Sequence, residues 1–197
     1  MQNIVDLIKN EVFNICEKCR IETDNDYWNH TKTVVSISEQ LAIKFSADKE
    51  IAILGAYLHD ISCPAQFGSL DEHHVYSAQL SEKILKKHNY PTERIERVKK
   101  CVLHHRGSKM FAKETIEEEC VADADAISHF YNIPLLFRVA YGLKSLSEAD
   151  GIEWIRRKLD NDFKKLSQRS KYLYEEKYQL LIQTLFDNPL GKATNEH

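Results

Sequence analysis

Apolar residues recur every three or four positions along nearly the whole chain, which is the spacing of one face of an α-helix. The alternation typical of a β-strand is scarce, and only 6 Gly and 4 Pro interrupt the pattern. The pattern therefore predicts an all-α fold. The predicted helices cover residues 2–20, 27–45, 48–60, 72–88, 92–105, 115–130, 134–145, 149–167 and 170–186, followed by a flexible tail over 187–197.

The polar residues that suggest chemistry are not spread evenly over these helices. They lie between about residues 20 and 130, whereas the helices of 134–186 carry Tyr, Leu and Lys/Glu in amphipathic order and no such cluster. Two loops, at 64–70 and 106–113, interrupt the first part. We expect one helical domain over residues 1–186, with its functional site in the first two thirds.

Composition narrows the classes of function. Of the 197 residues 43% are hydrophobic, and the net charge is −3 without a long run of one sign. This argues against a dedicated nucleic-acid or membrane surface, which is usually basic, but leaves room for an anionic small substrate. No run of 18 apolar residues and no signal-like start are present, and the five cysteines are an odd number. We therefore expect a cytoplasmic protein.

The most apolar predicted helix, IAILGAYLHD, ends in His59 and Asp60. Its composition predicts a helix buried on nearly all sides. A carboxylate at the edge of such a core costs several kcal/mol unless it is paired or binds a metal. By themselves, however, these two residues also suit a His near a helix C-terminus and a solvated Asp.

Two further histidines are predicted to point inward. His30 shares the apolar stripe of its helix with Val34 and Leu41, and His105 shares that of another helix with Val98 and Val102. One inward His is most often a satisfied core residue. Two of them on separate helices, together with the His-Asp pair, indicate a metal site between facing helices.

A late aspartate completes the candidate set, but the pattern leaves two choices. In the segment VADADAI, periodicity puts Asp123 on the apolar face with Cys120 and Ile127, and it puts Asp125 nearly opposite. The periodicity alone favours Asp123.

These residues resemble the HD superfamily of metal-dependent phosphohydrolases. The family pattern is a His, a His-Asp pair ending a core helix, and a late Asp, which together hold a divalent ion. Here it is carried by His30 in DYWNHTKTVV, His59 and Asp60 in LHDIS, and Asp125 in VADADAI. The resemblance covers about residues 20–130. It implies an HD-domain-like helical bundle with additional C-terminal helices, and it transfers the last ligand to Asp125.

Two more segments match the family. EHHVYSAQLSEKIL resembles its H-x-x-S/G-A helix and points to His74, and HHRGSK points to His105. The resemblance implies that these histidines hold a second metal or lie near the substrate. The neighbouring His73 and His104 are expected to be exposed polar residues.

The chain departs from many relatives at two positions. Thr33 stands where they have Arg, three positions after the first His, and Ser62 replaces the Gly of H-D-I-G. Both departures bear on the identity of the substrate more than on metal binding.

The resemblance implies an enzyme, a hydrolase that cleaves a phosphoester or phosphoanhydride bond, with a nucleotide as the expected substrate. His and Asp ligands suit Mn²⁺, Mg²⁺, Co²⁺, Fe²⁺, Ni²⁺ or Zn²⁺. Asp60 and Glu72, or Asp71 in place of Glu72, are the candidate catalytic groups, and Arg106 and Lys109 the candidate ligands of the substrate phosphates. For Asp71 and Glu72 the alternative is an ordinary acidic helix start, and for Arg106 and Lys109 it is a solvated loop.

The sequence also allows other interpretations. A non-catalytic HD domain could sense a nucleotide or a metal, and a di-iron oxygenase would fit if His74 and His105 completed a second site. Cys16 and Cys19 form a C-x-x-C pair, but they lie on an apolar helix and are expected to be buried thiols. The Tyr-rich C-terminal helices suit core packing or a homodimer contact.

Overall fold

The computed structural model describes residues 3–106 and 113–186, and within these ranges it contains helices and loops but no β-strand. The all-α prediction is confirmed. Lys109 and the expected tail over 187–197 lie outside the described residues. The helices are α1 (Ile4–Thr23), α2 (Tyr27–Phe45), α3 (Lys49–Leu58), α4 (His73–Lys87), α5 (Thr92–His104), α6 (Ile116–Tyr131), α7 (Ile133–Phe137), α8 (Glu148–Lys165) and α9 (Gln168–Phe186).

Polar side chains fix several of the helix starts. Asp26 and Asp48 accept hydrogen bonds from backbone N–H groups in the first turns of α2 and α3. Thr115 and Glu118 form the T-x-x-E arrangement before α6, with Thr115 Oγ1 accepting from the Glu118 N–H at 3.3 Å. The predicted helix over 134–145 is instead divided into α7 and a π-helical segment, Arg138–Leu143.

Contacts divide the chain into two units, Met1–Ser128 and His129–His197. In the first unit α3 is the central helix, because every residue from Ile51 to Leu58 is buried and α1, α2, α4 and α5 all contact it. The second unit contains α7, α8, α9 and the π-helical segment. The expectation of a single domain over 1–186 stays a prediction. Among the described residues, no helix is both long and apolar enough to cross a bilayer.

Three helices of the first unit run side by side in a common register. Near their starts, Asp48 before α3 binds Arg94 and Arg97 of α5, and its N–H donates to Glu117 of α6 at 2.8 Å. The ends of α3 and α5 meet again at His59 and at His105, whose ring centroids are 5.2 Å apart. The polar residues that follow α3 and α5 are thereby brought to one place.

Gly55 lies halfway along this register and lets the three helices approach closely. A Cβ built at Gly55 would lie 2.8 Å from Cys101 Cβ on α5 and 3.1 Å from Val121 Cγ2 on α6. Any side chain at this position would therefore push α5 and α6 away from α3.

We expect Gly55→Val to lower the free energy of unfolding by about 3 kcal/mol, because the core is already filled where the new side chain would lie. Urea unfolding followed by circular dichroism measures the change. Gly142→Val is the matched control, since the nearest neighbour of a Cβ there is Arg138 Cγ at 3.8 Å. Equal stability of the two variants would contradict this account of α3 packing.

Candidate metal centre

The first group of candidate ligands meets at the buried end of α3. His30 Nε2 on α2 lies 3.2 Å from His59 Nε2, 3.4 Å from Asp125 Oδ1 on α6 and 4.0 Å from Asp60 Oδ2. His59 Nε2 lies 3.5 Å from the same Asp60 oxygen. His30 Nε2 thus lies within 4.0 Å of a ligand atom of each of the other three residues that the HD resemblance indicated.

A second group shares Asp60 with the first. Asp60 Oδ1 lies 3.2 Å from His73 Nε2 and 3.4 Å from His105 Nε2, and these two nitrogens are 3.2 Å apart. The Oδ1 atom is buried and makes no hydrogen bond of normal geometry within the described part of the chain. The two oxygens of one carboxylate therefore face two separate sets of imidazoles.

The orientation of three of the rings is fixed locally. Each ring donates its Nδ1 proton to the carbonyl oxygen three residues earlier in the chain, which leaves a lone pair on Nε2 when the ring is neutral. The partners are Ala56 O for His59 (2.8 Å), Leu70 O for His73 (2.8 Å) and Val102 O for His105 (2.6 Å).

The fourth ring, His30, is oriented by a serine that the sequence analysis did not identify. Ser128 Oγ donates its proton to Asp125 O at 2.7 Å, so it can only accept from His30 Nδ1, which is 3.3 Å away. His30 Nε2 therefore also carries its lone pair toward the cluster. The spacing of Asp125 and Ser128, one turn apart on α6, is the sequence signal that could have indicated this partner.

These orientations aim lone pairs at one another across both groups. In the His30–His59 pair and in the His73–His105 pair, the two Nε2 atoms face each other at 3.2 Å beside a carboxylate oxygen, and both carry lone pairs when the two rings are neutral. A cation removes the repulsion. Around a divalent ion with metal–nitrogen bonds of about 2.1 Å, neighbouring ligand atoms are about 3.0–3.4 Å apart, so the donor atoms fit such an ion well. The cluster could therefore hold a divalent metal.

Burial and charge affect the members of the cluster differently. Burial lowers the pKa of His59 to about 4. Burial raises the pKa of Asp60, but the neighbouring His59 and His105 rings outweigh it and hold this pKa well below its usual range. Burial also lowers the pKa of His105, yet the adjacent Asp60 carboxylate raises it by more, and the net shift is upward. Asp60 is therefore an ionised carboxylate at neutral pH.

Of the two late aspartates, the structure brings Asp125 to the cluster. Asp123 points away and its Oδ1 lies 3.3 Å from Lys113 Nζ. Both side chains are nearly inaccessible, because α6 is enclosed on two faces. Periodicity alone favoured Asp123 since it assumes a single buried face.

The expectation for the histidine pairs has to be corrected. His73, not His74, lies beside Asp60 and His105, because His73 begins α4 and its bond to Leu70 O turns the ring toward them. His74 is buried and one helical step, about 100°, further round. His104 is also buried rather than exposed, and its Nδ1 lies 2.6 Å from Glu118 Oε2.

Two of the remaining predicted residues, Glu72 and Arg106, lie at the margin of the cluster. Glu72 is exposed at the start of α4 and belongs to neither group of candidate ligands. Arg106 is exposed directly after His105, and its guanidinium donates to the backbone carbonyl of Asp71. The roles assigned to Glu72, Arg106 and Lys109 stay predictions.

Comparison with known proteins identifies the family. The model of the HD domain family matches residues 27–129, which is more than half of the chain. The chain therefore belongs to the HD domain family.

Two individual proteins are similar to this chain. An uncharacterised protein of Clostridium beijerinckii is 28% identical over 96 residues, which are 45% of this chain and 59% of that protein. The chain thus matches about three fifths of the length of this curated relative. The crystal structure of a predicted HD superfamily hydrolase from an uncultured Thermotogales bacterium covers 93% of this chain and 99% of its own, with a TM-score of 0.55 and 19% identity. The similarity to the Thermotogales structure supports the all-α fold of this chain.

We expect Asp125→Asn to weaken binding of the ion at the first group of ligands, called the first ion, by about 10–100-fold, because an uncharged amide replaces an anionic ligand. Asp123→Asn is the matched control and should leave metal binding unchanged while weakening the link to Lys113. Elemental analysis and calorimetric titration of the metal-free protein measure the difference. The opposite ranking would show that Asp123 is the ligand.

The two groups should also differ in their response to pH, because an imidazole binds a metal only through an unprotonated nitrogen. His59, with its pKa lowered to about 4, stays neutral in weak acid, whereas His105, with its pKa raised, takes up a proton first as pH falls. Between about pH 8 and about pH 5.5 we expect the ion beside His105 to be released before the ion beside His59. Titrations with Co²⁺ across this range test the order, and simultaneous release would contradict it.

Proposed function

We propose that this protein is a metal-dependent phosphohydrolase that cleaves a phosphoester or phosphoanhydride bond, with nucleotides as the substrate class. The observation that carries the proposal is the position of Asp60 between two pairs of imidazoles whose lone pairs converge. Membership of the HD domain family supports it, and so does the fold shared with a protein described as a predicted HD superfamily hydrolase.

The donor set favours a first-row transition ion. His30, His59, Asp60 and Asp125 would hold one ion, while Asp60, His73 and His105 would hold a second. Four imidazoles and two carboxylates without a thiolate suit Mn²⁺, Fe²⁺, Co²⁺, Ni²⁺ or Zn²⁺ better than Mg²⁺, which prefers oxygen ligands.

A bound divalent ion supplies a Lewis acid that makes a coordinated water more acidic and neutralises charge on a phosphoryl oxygen. The protein holds the ligand rings in place through their Nδ1–carbonyl hydrogen bonds and keeps water away from one side. The His59 side chain is fully buried, whereas 25% of Asp60 and 19% of the His73 side chain are exposed. The substrate would therefore approach over Asp60 and His73.

Two candidate residues for substrate binding, Arg106 and Glu72, lie on this open side. Arg106 follows His105 directly and is held by the Asp71 carbonyl, so its charge stays beside the start of α4. A guanidinium in this place suits the phosphate oxygens, and we propose Lys109 as a second phosphate ligand. Glu72 directly precedes α4 and is the candidate for proton transfer to the leaving group. The five cysteines form no disulfide, which supports a cytoplasmic location.

We expect the purified protein, loaded with Mn²⁺ or Co²⁺, to release phosphate or pyrophosphate from a nucleotide or an aryl phosphate. Asp60→Ala should lower the rate at least about 10²-fold, because both ions lose their shared ligand. The assay is phosphate release across nucleoside mono-, di- and triphosphates and p-nitrophenyl phosphate. Asp6→Asn, an exposed aspartate on α1, is the control that should keep full activity.

The same assay separates the other interpretations. Tight metal binding without turnover on the whole panel would contradict hydrolysis and favour a domain that senses a nucleotide or a metal. Bound iron together with oxygen consumption would favour an oxygenase.

A further inference from the structure

Two buried serines link the segment after α3 to the start of α4. Ser77 Oγ accepts a hydrogen bond from the Ser62 N–H at 3.1 Å and donates to Ser62 Oγ at 3.0 Å. Ser62 Oγ in turn donates to the backbone carbonyl of His73 at 3.0 Å. Only 2% of Ser62 and none of Ser77 is exposed, so water does not compete for these bonds.

This serine pair connects two ligands that come from different elements. Ser62 lies two residues after Asp60, and its hydroxyl holds the carbonyl of His73 itself. Between Asp60 and His73 the chain follows a loop, so sequence proximity does not fix their separation. The Leu70 carbonyl within that loop orients the His73 ring. The two serines hold the end of the loop, at His73, against the segment that contains Asp60.

The first group of ligands does not depend on this link. His30 and Asp125 are carried by α2 and α6, and Ser128 orients the His30 ring. Asp60 Oδ2 faces that group, whereas Oδ1 faces His73. A change at the serines should therefore affect the two groups unequally.

We propose that Ser62 and Ser77 are positioning residues that set the affinity for the second ion, held by Asp60, His73 and His105, and that they leave the first ion unaffected. The proposal rests on the metal centre of the proposed function. Ser62 stands where the H-D-I-G pattern has glycine, which has no hydroxyl, so the link depends on a side chain that this pattern does not supply.

The test is a calorimetric and spectroscopic titration of the metal-free full chain with Co²⁺, with elemental analysis of the number of ions bound. The wild type should bind two ions. Ser62→Ala, Ser62→Gly and Ser77→Ala should weaken the second ion by about 10–100-fold and change the first by less than about twofold. His73→Ala defines complete loss of the second ion.

Ser81→Ala is the matched control. Ser81 is equally buried on α4, one turn after Ser77, and donates to the Ser77 carbonyl at 2.6 Å. Its loss disturbs the same helix without breaking the link, so both ions should bind as in the wild type. The affinity for the first ion reports on folding in every variant, because an unfolded chain holds neither ion.

Unchanged affinity for both ions in the Ser62 and Ser77 variants would overturn the inference, and so would equal weakening of the two ions, since a general structural role would then suffice. A wild-type chain that binds fewer than two ions also overturns it, whatever the hydrolysis assay shows. Two ions without hydrolysis of any phosphate would overturn the proposed function and leave this inference intact.

Discussion

Repulsion between imidazole lone pairs is the constraint on which the functional part of this protein depends. Four histidine rings direct their Nε2 atoms toward one another in pairs around Asp60, and in three of them a carbonyl three residues earlier takes the Nδ1 proton, which leaves a lone pair on Nε2 when the ring is neutral. Without a cation this arrangement is costly, and with one it becomes a set of ligands. The same hydrogen bonds thus make the cluster unfavourable when empty and suitable when filled.

The common register of α3, α5 and α6 makes this convergence possible. Asp48 binds the other two helices near their starts, and Gly55 lets them pack closely at mid-length. The residues that end α3 and α5 then arrive at the same level without any local distortion. The position of the candidate metal centre is in this sense a consequence of how the core is packed.

The sequence predicted the helices and most of the convergence, because helical periodicity and buried polarity are both visible in a linear chain. It pointed to His74 where the structure places His73, since one step of rotation at the start of α4 depends on the Leu70 carbonyl. Periodicity alone favoured Asp123, whereas the structure brings Asp125 to the cluster, because α6 is enclosed on two faces and Lys113 lies beside Asp123. The Ser62–Ser77 link joins residues 15 positions apart, and no local pattern indicates such a pair.

Three of the four ligand rings take their orientation from a backbone carbonyl group three residues earlier in the chain, and this has a consequence for how the ion is chosen. These hydrogen bonds form within the chain and need no cation, so loading and exchange would require no refolding of the chain. Several first-row ions have similar radii and accept the same nitrogen and oxygen donors. Supply of metal in the cell, rather than the folding reaction, would then decide which ion the protein carries.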